Sequence, residues 1–407
     1  MTLDVFLHDR HVGVIEQEPS TRVISFTLDE DYLTERARPV LGQMFEDRRG
    51  MQQFRQSKQP GQLPAFFANV MPEGALKAVI EAQVQDEGAL PLLARIGVDL
   101  PGAVVVRAGA EMPPPKSVRK VFDEPQAAAT TPDVGWRFSL AGIQFKMSAV
   151  KDPEARFTLP FSRDGGRWIL KFGSPDFPSL PENEFAVMRW AQRAGLAVPT
   201  HELVEARSIG GLDPRLIDLG ERVFAIERYD RAEGGARIHQ EDFAQVNGLL
   251  PKDKYEHATY EGIGRVIGTL CGLDDLREYV RRVVFMVLSG NVDAHRKNWS
   301  LVYPDARQAR LSPAYDLVFV MMYPTVERRL ALKLAGEKVP AAISWSHLER
   351  VERFLRERGL DVPVVDEARA FVPRALEAWS ATQADVDPTL AEAISAHLAS
   401  LQLARLP

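Results

Sequence analysis

The stretch SGNVDAHRKNWSLVY at 289–303, followed by LSPAYDLV at 311–318, decides how the rest of the chain is read. It places Asp293, then Asn298 five residues on, then Asp316 eighteen residues further. VVFMVLSG ahead of it is an apolar run of helical character, whereas WSLVY and ARLSPAYDLV alternate as strands do. The expectation is a polar loop between a buried helix and a hairpin whose far end carries Asp316. Asp, Asn and His in such a loop commonly serve as turn formers and caps. The three polar residues therefore need support from elsewhere in the chain before any chemistry is assigned to them.

That support begins with their spacing. The catalytic loop of protein kinases reads H-R-D-x-x-x-x-N: the Asp orients the acceptor hydroxyl, the Asn holds Mg²⁺, and a later Asp binds metal bridging the phosphates. Base and metal ligand must converge on one γ-phosphate from a single tight loop. A second carboxylate then adds to the oxygen-only coordination that Mg²⁺ demands.

The rest of the chain sets the frame. At 407 residues it has the length of two or three domains. A formal charge of −6 and a pI of about 5.9 imply no general affinity for nucleic acid. The basic clusters RRVV at 281–284 and ERR at 327–329 read as solvated faces. The one cysteine, Cys271 within GTLCGL, excludes an intrachain disulfide, suits a reducing cytoplasm and is expected as a buried structural thiol. No run of about 18 apolar residues predicts a membrane span, and MTLDVFLHDR lacks the layout of a signal peptide.

Residues 1–30 predict three short strands (LDVFLHD, HVGVI, TRVISFTL), and 35–100 turn helical before GAVVVRAG returns to strand. The Pro-, Ala- and Thr-rich stretch over 111–135 reads as a linker. From 136 the pattern is strand-rich (RFSLAG, FKMSAV, RFTLPF, RWILKFG, then HELVEARSI and RVFAIERYD). After 240 nearly everything outside the 299–318 hairpin reads as helix, and residues 340–407 as amphipathic helices. Strands first and helices after predict an α+β architecture with two lobes. The boundaries expected are 1–110 for a small N-terminal subdomain, 111–135 for the linker, 136–231 for a strand-rich lobe and 232–407 for a helical lobe.

Further parts of a phosphotransfer site are present. Lys171 ends the alternating strand RWILKFG, and thirteen residues later Glu184 sits at a helix start, as in the strand-to-helix Lys–Glu pair of kinases. Glu182 is the alternative partner, and both glutamates also suit the positive end of a helix dipole. SLAGIQFKMS at 139–148 sets Gly142 between two strands with Lys146 after it; the backbone of such a turn can wrap a phosphate. FAIERYDR closes the last strand of the lobe, where Glu227 and Tyr229 would face an adenine edge.

Taken in order, FFANVMPEGAL, LLARIGVDLPGAVVV, SLAGIQFK, ILKF, PENEF, FAIERYDR, SGNVDAHRKNWSL and SPAYDLV resemble the HipA family of serine/threonine kinases, the toxin half of bacterial HipA/HipB pairs. The resemblance implies a two-lobed, protein-kinase-like fold using ATP and Mg²⁺. Asp293 would be the catalytic aspartate, Asn298 and Asp316 the metal ligands, and Lys171 the phosphate-binding lysine. Ala141, Gly142, Ile143, Gln144, Phe145 and Lys146 would line the phosphate loop, with Glu227, Arg228 and Tyr229 at the adenine. His295, Lys297 and Tyr315 would be further nucleotide neighbours. Self-inactivation by autophosphorylation maps to Ser139, with Ser148 a less favoured acceptor. The family loop commonly reads A-G-A-Q-E-K; here Ile143 and Phe145 replace the alanine and the carboxylate.

The resemblance further implies a helix-turn-helix antitoxin of the HipB type as partner, DNA contact only through that partner, and an aminoacyl-tRNA synthetase as target. Two other functions fit the same sequence. A kinase for a small molecule would use the same Asp–Asn–Asp set. A non-catalytic co-repressor or scaffold would not require Lys171, Asp293, Asn298 and Asp316 together.

Overall fold

A computed structural model describes residues 1–46, 59–71, 88–108, 145–152, 156–158, 166–212, 214–256 and 258–405. Ser139 and the phosphate-loop residues Ala141, Gly142, Ile143 and Gln144 lie outside them. The chain divides into two compact units: residues 1–178, 204–223 and 230–239 form the first, and residues 179–203, 224–229 and 240–407 the second.

The first unit opens with β1 (Thr2–Leu7), β2 (Arg10–Gln17) and β3 (Ile24–Leu28), joined by β4 (Val104–Ala108) into an antiparallel sheet of order β3-β2-β1-β4. Alternation fixes which face is inward, since Leu3, Val5 and Leu7 of β1 are fully buried. Short helices α1 (Glu30–Thr34), α2 (Ala65–Asn69) and α3 (Ala89–Ile96) supply further core residues. Phe26, Phe45, Phe66 and Phe67 meet edge to face at 4.9–5.7 Å.

A buried ionic network in this unit ties the 97–104 loop to residues 230–239. Asp230 accepts from Gly102 N (2.7 Å) and from Arg231 (2.8 Å), while Arg231 also donates to Asp99 (3.1 Å) and Leu100 O (3.0 Å). His239 bonds the carbonyl of Leu41 at 2.9 Å. Nearby, β5 (Lys146–Lys151) pairs antiparallel with β6 (Phe157–Thr158) and β7 (Trp168–Lys171). Their sheet has the order β6-β5-β7-β9-β8, with β8 at His201–Glu205 and β9 at Arg222–Glu227.

The second unit is mainly helical. It contains α4 (Leu180–Arg193), α6 (Phe243–Val246), α7 (Tyr260–Leu270), α8 (Leu273–Leu288), α9 (Trp345–Arg356), α10 (Val364–Thr382) and α11 (Pro388–Ser400). The short α5 (Pro214–Ile217) belongs to the first unit. Trp190 of α4 is fully buried, meets Phe285 of α8 edge to face (4.8 Å) and Trp379 of α10 at a tilt (4.9 Å), and donates its indole N–H to Ala375 O. Large aromatic burial of this kind holds three helices as one block. A small sheet of β10 (His239–Asp242), β11 (Ser300–Tyr303) and β12 (Arg310–Leu311) completes the unit.

The α+β class expected from the sequence is what the chain adopts. Local departures have physical causes. The strand read over ARLSPAYDLV is only Arg310–Leu311. Pro313 has no N–H for a ladder, and Asp316 sits at φ 59°, a left-handed conformation no strand accommodates. Residues 323–344, read as helical, hold only a single 3₁₀ turn at Pro340–Ala342, in a stretch broken by Pro324, Gly336 and Pro340. Cys271 is half-buried rather than buried; desolvation still pushes its thiol up to about 12, which leaves it unreactive at neutral pH.

Candidate functional site

Helix α8 delivers the site. Its last turns are apolar and buried from Val283 to Leu288, and the chain leaves it at Gly290 (φ 60°). Gly290 is needed there: a Cβ would come within 2.7 Å of the Phe319 ring. The following loop is pinned by its backbone. Tyr260 donates to Ala294 O (3.0 Å), Ala331 N to Val292 O (2.7 Å), and Asn298 N to His295 O (3.0 Å). The buried Arg296 donates Nη1 to Asp253 O (3.3 Å) and its own N–H to Lys254 O (3.5 Å).

On this frame, residues far apart in sequence converge. Asn298 Nδ2 donates to Asp316 Oδ2 at 2.6 Å, and Asn291 Nδ2 donates to Asp316 O at 3.2 Å. The other amide atom, Asn298 Oδ1, is buried with no hydrogen-bond partner. Asp316 holds a left-handed backbone without being glycine, a strain that persists only where the surroundings enforce it. Asp293 has an exposed face, yet protein atoms crowd its carboxyl. Burial raises its pKa above the usual aspartate value, opposed by the Tyr255 hydrogen bond and by Lys254, with the Asp316 charge adding to the rise. The open face limits how far that desolvation can go. Tyr255 donates to Asp293 Oδ1 at 2.9 Å.

The other expected residues take definite places. His295 is buried edge-on to Tyr255, with ring centroids 5.2 Å apart. Lys297 makes an ion pair with Asp242 at 2.9 Å, and Asp242 itself caps α6 in a capping box. Tyr315 bonds Ser300 Oγ (2.6 Å), donates to Lys297 O (2.9 Å), and lies 5.6 Å from the ring of Tyr229. Tyr229 in turn donates to Gln240, and Glu227 N donates to Thr200 O at 2.8 Å. Arg228 is buried. Glu184 is fully buried on α4, whereas Glu182 is half-buried in its first turn.

In the first unit, Lys146 of β5 stands directly opposite Lys171 of β7 in the antiparallel register. Lys171 is buried, whereas Lys146 is exposed. Phe145 is buried against Phe172, with ring centroids 5.7 Å apart. Ser148, the less favoured acceptor, donates to Asp99 at 2.9 Å.

Sequence reasoning missed Asn183, Asn291, Lys254 and Tyr255. Asn183 is fully buried: its Nδ2 donates to Phe319 O (3.0 Å), and Phe319 N donates to its Oδ1 (2.9 Å). An Asn inside a helix, flanked by two glutamates, was the available clue, because it is a poor helix former without another task. Tyr255 in KDKYEH carried no such signal.

Among the described residues, no cluster of three or more His, Cys, Asp or Glu side chains is placed to hold a metal by itself. None of the described helices is long and apolar enough to cross a membrane.

Comparison with known proteins is consistent along the chain. Residues 3–107 match the HipA N-terminal domain, and residues 138–379 match the HipA-like C-terminal domain. Y4dM of Sinorhizobium fredii, named as a candidate kinase, is 37% identical over 99% of this chain and 98% of its own. The serine/threonine-protein kinase toxin HipA of Shewanella oneidensis is 28% identical over 69% of each chain. A chain from the Shewanella oneidensis MR-1 complex of HipA, HipB and operator DNA superimposes with a TM-score of 0.71 at 20% identity, covering 99% of this chain and 96% of that one, so the fold is shared. With its C-terminal match spanning more than half of the sequence and a relative alike along nearly all of it, the chain belongs to the HipA family.

Proposed function

We propose that this protein is an ATP- and Mg²⁺-dependent serine/threonine protein kinase that acts in the cytoplasm as a bacterial toxin. The observation that carries the reading is the Asn298–Asp316 pair within the second unit, with Asp293 near enough to feel the Asp316 charge. The amide and the carboxylate lie 2.6 Å apart, and Asn298 Oδ1 is left buried with no hydrogen-bond partner. A buried carbonyl oxygen without a donor is costly. Turning the amide over would point two hard oxygens at one cation, so the residues fit Mg²⁺, which takes few protein ligands and leaves the rest to water and phosphate. When bound, that ion would neutralise and bridge the nucleotide's β- and γ-phosphates.

Asp293, held by Tyr255, would orient an acceptor hydroxyl and accept its proton. Lys171 and Lys146, neighbours in the register of β5 and β7, would meet phosphate oxygens. Residues 1–110 would form the N-terminal subdomain, 136–231 the nucleotide-binding lobe and 232–407 the catalytic lobe, after a linker at 111–135. The family suggests an aminoacyl-tRNA synthetase as target, a HipB-like antitoxin as partner with DNA contacted through it, and Ser139 as the site of self-inactivation.

The test is incubation of the purified protein with γ-labelled ATP, Mg²⁺ and cell lysate. Label should enter a discrete lysate protein with the wild-type chain and not with Asp293→Asn. Equal labelling by both would refute the assignment.

A further inference from the structure

Asp293 comes from the loop after α8, yet the group that holds its carboxylate comes from some forty residues earlier. Tyr255 donates to Asp293 Oδ1 at 2.9 Å. Tyr255 is 45% exposed, and its ring is steadied on one side by His295 at 5.2 Å and on another by the Lys254 ammonium at 5.5 Å. The contact is exposed to solvent, but the segment that carries it is held through its backbone. The loop's own Arg296 grips the backbone of the same segment at Asp253 O and Lys254 O. The loop thus clamps residues 253–255, and those residues return a hydroxyl and a cation to the loop's carboxylate.

We propose that Tyr255, assisted by Lys254, is a positioning residue for phosphoryl transfer: it fixes the rotamer of Asp293 so that one carboxylate oxygen is committed and the other faces the acceptor hydroxyl. The inference rests on the kinase reading above. A base must meet its proton within about 2.6–3.2 Å, and a base with a freely rotating carboxyl spends little time there. A third group that orients the base is the general remedy. A donated hydrogen bond and a nearby ammonium both favour the charged carboxylate, so the same pair keeps Asp293 able to accept a proton. The exposed edge of the Tyr255 ring would then form one wall of the acceptor's approach.

The test compares wild type, Tyr255→Phe, Lys254→Met and Asp293→Asn, reading phosphate release plus protein-bound label from γ-labelled Mg–ATP. Tyr255→Phe keeps the ring and removes only the hydroxyl. It should lower kcat about tenfold or more, the equivalent of about 1.4 kcal/mol, with KM for ATP within twofold. Lys254→Met should lower kcat in the same direction. A merely structural role would change thermal stability and leave kcat of the folded protein intact. An unchanged kcat in Tyr255→Phe, alongside loss of turnover in Asp293→Asn, overturns this inference and leaves the kinase reading standing. Full turnover in Asp293→Asn removes both. Label mapped to Tyr255 itself would make it an acceptor rather than a positioning group, and would also overturn the inference.

Discussion

Asn298 and Asp316, eighteen residues apart, meet at 2.6 Å through the amide nitrogen of one and Oδ2 of the other. Because the pair lies in loops rather than in the helical core, replacing either should change chemistry more than stability. Asp316→Asn and Asn298→Ala should each cut ATP turnover on the order of a hundredfold or more, several kcal/mol of lost electrostatic stabilisation. Their thermal midpoints should stay within a few degrees of wild type. Rates measured across an Mg²⁺ titration check this; full turnover in either variant speaks against the metal-ligand assignment.

Asn183 should prove a stability hot spot. Its side chain satisfies both the N–H and the C=O of the buried Phe319. Asn183→Ala leaves two buried backbone groups unpaired and should cost about 2–4 kcal/mol. Urea unfolding measures it, and a loss below about 1 kcal/mol would show that the clamp is dispensable.

Gly290→Ala combines two penalties: a side chain at φ 60°, and a Cβ 2.7 Å from the ring of Phe319, which Asn183 holds in place. A loss of roughly 1–3 kcal/mol is expected. A crystal structure of the variant should show Phe319 displaced. An unaltered ring at unaltered stability would contradict the packing argument.

His239 makes stability depend on pH. Burial lowers its pKa from 6.5 to about 4, although the Leu41 carbonyl it bonds opposes the shift. The unfolded chain takes up a proton near pH 6.5, and the folded one resists until about 4. Between those values the unfolded state binds more protons, so stability is full above pH 6.5 and falls as pH drops through the window. This one group accounts for on the order of 3 kcal/mol across it. His239→Gln should flatten that part of a pH–stability curve measured by denaturant unfolding; an unchanged slope would disprove the role.

Lys146→Gln removes the charge of the residue paired with Lys171 in the register of β5 and β7. Without nucleotide, stability should change by less than about 1 kcal/mol, because Lys146 is exposed. With Mg–ATP, the rise in Tm should be smaller than in wild type. An undiminished rise would exclude Lys146 from the phosphate site.

The sequence made the elements legible wherever one residue's neighbours decide its fate. The alternation of Leu3, Val5 and Leu7 announced β1, and the apolar run before Gly290 announced α8. Asn298 and Asp316 were singled out by their spacing, and the fold brings them to 2.6 Å. The extent of the strand before Asp316 was not, since a left-handed aspartate is a tertiary decision enforced by Asn291 and by the anchoring of Phe319. Tyr255 stayed hidden for a related reason: its partner lies 38 residues away, and nothing in KDKYEH announces the contact.

Asn183 and Glu184 are consecutive on one rigid helix, and the first of them grips Phe319, three residues beyond Asp316. A turn or slide of α4 therefore cannot reposition the Glu184 carboxylate without tugging the strand of chain that carries Asp316. Whatever pushes on that helix, whether a docked protein or a ligand, has a mechanical handle on both acidic groups at once.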